Sequence, residues 1–423
     1  APPTGTPGEY EIIVRERLSE REGKTASGTT IRARRNSATG EWLPAAGNLV
    51  VRCDSSTALN PGDRAVVRGK IYPFTARHGG YGRLMTRRGY VGTLYLNRSS
   101  LLLRDTLHRE LSPKHLSLFL HERAVARLDR LALAPDEQAL CNAMTAGDRR
   151  SLSPALRAAY SRSGTSHLLA VSGLHVGIVF LLANLLLWWL PLFRHGHILR
   201  NIAVILLIWL YAATTGFPPS VVRAALMFSV LQFALASSSE YVGMNTLAGV
   251  AFVMLLFHPD YLFDISFQLS FIAVAGIIAW GLPLCRLLRT RRKSIDMLTA
   301  TLAIGFSASA ATAPLISHTF GQISVVGLAL NPVVILLSYV VVGSCTLWLV
   351  IPGTALAPLF SVVAGFAARA QNELIRAAAA LPAAALDIRL TTTQCWSVYG
   401  LFIFATLLLW SAERKKSVSS LPE

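Results

Sequence analysis

Apolar runs of the length a bilayer demands dominate the second half of this chain. They lie near 168–190, 198–216, 219–237, 242–258, 263–284 and 296–316, with one or two more within 323–352 and a last one at 397–411. Each approaches the roughly 20 residues that a helix needs to cross the hydrocarbon core. Lipid offers no hydrogen bonds, so a chain crossing it through such runs must satisfy its own backbone as helices. The expected fold is a polytopic α-helical membrane protein. Only 15% of the residues are charged, against about 25% in an ordinary soluble domain.

Residues 1–110 have a different character. Short β-rich runs ("YEIIVRE", "NLVVRCD", "RAVVRGKIY", "GYVGTLYL") alternate with Gly, Pro, Asn and Ser clusters. That pattern predicts a small antiparallel β-barrel or sandwich, and about five strands suit an OB-like barrel. The segment holds 18 Lys and Arg against 10 Asp and Glu. Between Lys70 and Arg104 there are seven basic residues and no acidic ones, with Tyr72, Phe74, Tyr81, Tyr90 and Tyr95 among them. Cations for phosphates and rings for bases suit a surface that tracks a nucleic-acid strand. Lys70, Arg77, Arg83, Arg87, Arg88, Tyr81 and Tyr90 are its expected contacts. Aromatics in a barrel core, with arginines solvated or facing lipid headgroups, account for the same pattern.

Residues 111–166 read as amphipathic helices on or beside the membrane ("HERAVARLDRLAL", "PALRAAYSRSG"), 167–411 as the transmembrane domain and 412–423 as a basic tail. Segment 355–381 carries Arg369, Glu373 and Arg376 on an alanine-rich helix and reads as interfacial. The loop "CRLLRTRRK" and the tail with Arg414, Lys415 and Lys416 are expected on the cytoplasmic side. Counting back through five spans places residue 167 outside and the N-terminal domain with it, extracytoplasmic. Counting forward, both basic segments lie inside only if the crossings between them are even in number, so 323–352 is expected to supply two passes or a re-entrant pair.

Polar residues inside the spans are costly and usually face a cavity or a partner. "HLLAVSGLHVGIV" brings His167, Ser172 and His175 to the start of the first span, with Gly173 and Gly177 permitting close backbone approach. Ser172 and His175 share a helix face, and a break near Ser172–Gly173 would bring His167 toward them and expose amide N–H groups. Arg223 follows "GFPPSVV" and needs a carboxylate, carbonyls or a phosphate, with Asp264 a plausible ion-pair partner. Gln268 shares the helix face of Asp264, and Ser270 does not. Thr312, Pro314 and His318 mark a second interrupted helix. All of these residues suit either the wall of a hydrophilic path or hydrogen bonding between packed helices.

"GTSHLLAVSGLHVGIV" closely resembles the signature of the ComEC family, the inner-membrane DNA channel of bacterial natural transformation. "GDRRSLSPALR", "GFPPSVVRAALM", "HPDYLFDISFQLSFIAVAGI" and "ATAPLISHTFGQIS" agree in the same order, so the resemblance covers roughly 135–335. "RLMTRRGYVGT" is similar to part of that family's OB-like domain. The resemblance implies a channel that conducts single-stranded DNA across the bacterial cytoplasmic membrane. It also implies an extracytoplasmic DNA receptor and a cytoplasmic helicase-like ATPase as partners. On this reading His167, Ser172, Gly173, His175, Gly177, Arg223, Asp264, Gln268, Ser270, Thr312 and His318 line the DNA path. The metallo-β-lactamase-like domain of fuller family members is not expected here. Its H-x-H-x-D-H motif is missing, and the one H-x-H, His195-Gly196-His197, is followed by "ILRN". "NPVV" at 331–334 also departs from the family pattern.

No metal, cofactor or catalytic residue is expected. The five cysteines show no CxxC or ligand spacing. Gly23-Lys24-Thr25 resembles the end of a P-loop, but Leu18 stands where the loop needs glycine. A conduit of this kind draws its driving force from a partner or the membrane potential. Two rival functions share the polar spans. One is an intramembrane serine hydrolase using Ser172 with His175 or His167, although no G-x-S-x-G elbow surrounds Ser172. The other is a small-solute or lipid transporter, which has no use for a basic aromatic domain outside. The chain opens on "APPTG" without an initiator Met, as a fragment of a longer protein does.

Overall fold

The computed structural model describes residues 7–21, 24–36, 39–54, 57, 59–60, 62–74, 82, 85–86, 89–105, 113–236, 243–324, 326–351, 356–382 and 384–419. Its internal contacts divide the chain into two units, Ala1–Arg123 and Ala124–Glu423.

The first unit is built on six strands: β1 (Pro7–Arg21), β2 (Lys24–Arg35), β3 (Trp42–Asp54), β4 (Arg64–Pro73), β5 (Tyr90–Leu96) and β6 (Leu101–Asp105). Tyr10, Ile12 and Val14 alternate with Glu9 and Glu11, and the apolar set enters a core with Ile31, Leu49 and Leu94. The order is β1-β2-β3-β5-β4-β6, with β1 also pairing β4 from Pro7–Lys70 to Ile13–Arg64. The β3–β5 pair is parallel, and the other pairs are antiparallel. The β4–β5 seam spans only Ile71–Leu94 to Pro73–Gly92, so the sheet curls into a partly open, OB-like form rather than a seamless barrel. Three register shifts along β1 supply the curl. At Gly92 a Cβ would stand 2.5 Å from the Tyr72 carbonyl oxygen, so the seam requires glycine.

Helix α1 (Pro113–Leu128) runs across the division between the units, and α2 (Pro135–Thr145) and α3 (Pro154–Arg162) follow. Residues 111–166 were expected to lie at the membrane surface. Within the protein α2 is buried almost all round, from Glu137 and Ala139 through Thr145, and α3 buries Leu156 and Tyr160. Both join a protein core with α11 (Val326–Val350) and α12 (Ala357–Ala379). The short periods of α2 show apolar positions but not how many sides a neighbour covers, so this packing is not legible in the sequence.

Between these pieces lie α4 (Gly173–Leu186), α5 (Gly196–Thr214), α6 (Pro219–Ala236) and α7 (Gly243–Phe257). Next come α8 (Ile265–Gly276), a π-helical turn (Ile277–Gly281), α9 (Leu282–Leu287) and α10 (Lys293–Phe320). The chain closes with α13 (Thr392–Ser419). Among the described residues five segments are long and apolar enough to cross a membrane: Gly173–Leu192, Gly196–Thr214, Ile265–Leu287, Ile295–Phe320 and Ala329–Val350. Large apolar side chains such as Leu185, Trp188, Leu206, Phe252 and Leu336 face outward, as lipid solvent requires. The fold is a polytopic helical membrane protein with an N-terminal sheet domain.

Three expectations need correction. Segment 323–352 holds one continuous long helix, α11, so it does not supply two passes. Segment 355–381 is not merely surface-lying. Ala364, Ala368, Gln371 and Ile375 of α12 are fully buried, its small residues letting it pack closely. Nor is α10 interrupted: it runs through Pro314 to Phe320 without a break. Proline removes one donor, but an apolar surround leaves the remaining helical bonds no competitor.

Candidate functional site

The first turn of α4 is assembled by a chain break that the sequence encodes. Helix α3 ends at Ser163, and Gly164 reverses the chain in the left-handed region at φ +74°. The buried Ser163 and Thr165 hydroxyls lie 2.7 Å apart and close this corner. A short 3-10 turn, Ser166–Leu169, then buries Leu168 and Leu169 while His167 stays exposed. Ala170–Ser172 is extended, and α4 starts at Gly173. The Ser220 hydroxyl at the start of α6 donates to the Val171 carbonyl at 3.0 Å and fixes the extended piece.

His175 points back over this start and is fully buried. The Ser172 backbone N–H donates to its Nδ1 at 2.9 Å, and the Ser172 hydroxyl lies 3.3 Å from the same nitrogen. A ring that accepts at Nδ1 carries its proton on Nε2, and that nitrogen is buried without a partner among the described residues. The glycines face α6. Gly173 packs on Arg223, whose Nη2 would stand 3.0 Å from a Cβ placed there. A Cβ placed on Gly177 would stand 3.3 Å from Phe228 Cζ, and Phe228 stacks on Phe180. The glycines therefore let α6 approach α4.

Arg223 is 6% exposed. Its Nη1 donates to the Ser270 carbonyl at 2.7 Å and its guanidinium lies over the Phe271 ring, but Nε has no partner among the described residues. Asp264 is not its counter-ion. That carboxylate caps α8, accepting from the Ser266 and Phe267 amides at 2.8 and 3.1 Å. A capping acceptor is spent locally, which sequence distance cannot reveal. Among the described residues no carboxylate forms an ion pair with Arg223.

The structure thus brings Ser172, Gly173, His175, Gly177, Arg223 and the Ser270 carbonyl together. Gln268 instead donates to the Leu262 carbonyl. Thr312 bonds back to the Ala308 carbonyl, and His318 Nδ1 donates to the Leu390 carbonyl at 3.0 Å. With Ser317, which donates to the Ile388 carbonyl, His318 tethers the approach to α13.

Sequence reasoning missed Ser220 and Phe217. Phe217 sits at φ +53°, a strained conformation for a bulky residue, one residue after the left-handed Gly216. The "GFPPS" run signals a turn, but not that its phenylalanine occupies the strained position.

In the first unit Lys70 is exposed, with Nζ 5.6 Å above the Tyr72 ring. Tyr72 and Tyr95 are 47% and 53% exposed and meet edge to face at 5.8 Å. Tyr90 is not a surface aromatic: it is buried with Ala26, Val50 and Met85. Neighbouring residues on a strand point to opposite faces, so Tyr90 and Tyr95 divide between core and surface. Arg77, Tyr81, Arg83, Arg87 and Arg88 lie outside the described residues. Among the described residues no group of three or more His, Cys, Asp or Glu is placed to hold a metal ion.

Comparison with known proteins places these features in a family. A family model described as "Competence protein" matches residues 144–415. ComE operon protein 3 of Bacillus subtilis (strain 168) is 33% identical over 204 residues, covering 47% of this chain and 24% of that protein. An uncharacterized protein of Aquifex aeolicus (strain VF5) is 29% identical over 201 residues, covering 47% of this chain and 45% of its own length. The chain spans less than half the length of either relative. No solved structure matches. The family match takes in well over half of the chain, from the end of α2 through the α4–α6 constellation and most of α13, and the chain belongs to the competence protein family.

Proposed function

We propose that this chain serves DNA uptake during natural transformation, its helical unit carrying a single strand across the cytoplasmic membrane. The observation that carries the reading is Arg223, a cation buried among apolar helices beside a broken helix start, with no carboxylate paired to it among the described residues. Such a charge is expensive in a membrane protein and marks a path for an anion. Family membership and the similarity to a ComE operon protein support the same reading.

The sheet domain is extracytoplasmic in this proposal, and Lys70, Tyr72 and Tyr95 offer the cation and rings that an incoming strand meets. Since α11 is a single helix, α12 has to cross as well for the Arg286–Lys293 loop and the C-terminal tail to share the cytoplasmic side. Its partners are a DNA receptor outside and a helicase-like ATPase inside.

The test is entry of labelled DNA into the cytosol of a strain lacking the chain, complemented with the wild type or with Arg223→Gln. Rescue by the wild type and loss with the variant are expected. Equal DNA entry with and without the chain refutes the proposal. The 3.3 Å approach of the Ser172 hydroxyl to His175 Nδ1 favours a second reading, a serine hydrolase. The same nitrogen is already occupied by the Ser172 N–H. Ser172→Ala separates the two: transport persists in a conduit and ends in a hydrolase.

A further inference from the structure

The start of α4 meets Arg223 of α6 at Gly173, and their unused donors point to one kind of ligand. Gly173 and Leu174 open α4, and their amides have no acceptor among the described residues, as expected of a first helical turn. Gly173 has no side chain, so the Arg223 guanidinium reaches this turn, 3.0 Å from where a Cβ would stand. Arg223 spends Nη1 on the Ser270 carbonyl and leaves Nε buried and unpaired. Every unused group is a donor, one of them carries a full positive charge, and the helix N-terminus adds partial positive charge.

We propose that Arg223 and the first turn of α4 form a binding site for one phosphodiester group of the transported strand. This deepens the conduit reading and rests on it. A singly charged, tetrahedral oxyanion matches the unpaired charge and accepts from a guanidinium edge and backbone amides together. Bases carry no such charge, so the site reads backbone and not sequence. The Ser270 carbonyl holds the guanidinium in register without neutralising it.

The experiment uses the full chain purified in a maltoside detergent and a fluorescent 20-nucleotide oligothymidylate, with affinity measured across a salt series. Arg223→Gln is expected to weaken binding roughly ten- to hundredfold, the effect of losing a hydrogen bond to a charged group. It should also flatten the slope of log affinity against log salt by about 0.7, the value for one phosphate of a single strand. A residue that only packs helices leaves that slope unchanged. Gly173→Ala keeps every charge, favours the helix and displaces Nη2, so it decides the matter should Arg223→Gln fail to fold. It is expected to weaken binding several-fold. Wild-type affinity and slope in both variants overturn the phosphate site while leaving the conduit standing. A wild-type chain that binds no oligothymidylate overturns both. Competition by anionic lipid vesicles that depends on Arg223, with DNA binding independent of it, assigns the site to lipid headgroups and also overturns the proposal.

Discussion

Gly164→Ala tests whether the corner that leads into α4 is as tightly specified as its geometry indicates. Gly164 occupies the left-handed region at φ +74°, where an alanine costs roughly 1–2 kcal/mol. The added Cβ would also stand 2.4 Å from Ser324 Cβ and 2.7 Å from Ser324 Oγ. Ser324 is not free to retreat, because its hydroxyl donates to the Ala384 carbonyl and accepts from the Gly327 amide, each at 3.1 Å. Overpacking of this kind adds about 1–3 kcal/mol, for a total of about 2–5 kcal/mol. Gly216 is the internal control. It is left-handed at φ +84° with nothing within 4 Å of its Cβ position, so Gly216→Ala should cost only the backbone strain, about 1–2 kcal/mol. Unfolding free energies of the full chain in mixed micelles, titrated with SDS, measure both. The difference between the variants isolates the collision with Ser324. Equal destabilisation refutes the close approach, and Gly164→Ala within about 0.5 kcal/mol of wild type, the range of a neutral substitution, refutes the left-handed turn as well.

Further outcomes follow from the same geometry. Tyr160→Phe removes the hydroxyl that donates to Asn372 Oδ1 and accepts from Gln371 Nε2; stranding those buried amides should cost about 1–3 kcal/mol in the same SDS titration. The Glu9 carboxyl is held below the usual carboxylate range by Arg68 first and Arg35 second. Its stabilising contribution is present above the unfolded pKa and is lost as pH falls through the lower folded value; hydrogen exchange of β1 amides should accelerate in acid, and Glu9→Gln should abolish this component. Tyr72→Ala and Tyr95→Ala should leave stability unchanged and weaken oligothymidylate binding by about 1–3 kcal/mol for each base unstacked. Tyr90→Ala should instead destabilise the sheet domain by about 3–5 kcal/mol, the cost of emptying a large core site.

Periodicity and run length made much of this protein legible from the sequence. Apolar runs near the bilayer thickness gave the helices from α4 to α11, and short β-rich runs gave β1, β3, β4 and β5 but not β2 or β6, because each signal is written in neighbouring residues. The break before Gly173 was legible too, since glycine and serine at the edge of an apolar run act locally. Tertiary packing decided what each polar group does. Arg223 meets the Ser270 carbonyl because Asp264 is consumed capping its own helix. Tyr90 is core and Tyr95 surface because the curl of the sheet gives each face its environment. Helices α2 and α12 are buried because other helices cover them, a fact no period within either helix contains. A backbone conformation depends on a few adjacent residues, whereas a side chain's partner is chosen among residues tens or hundreds of positions away that only the folded chain brings near.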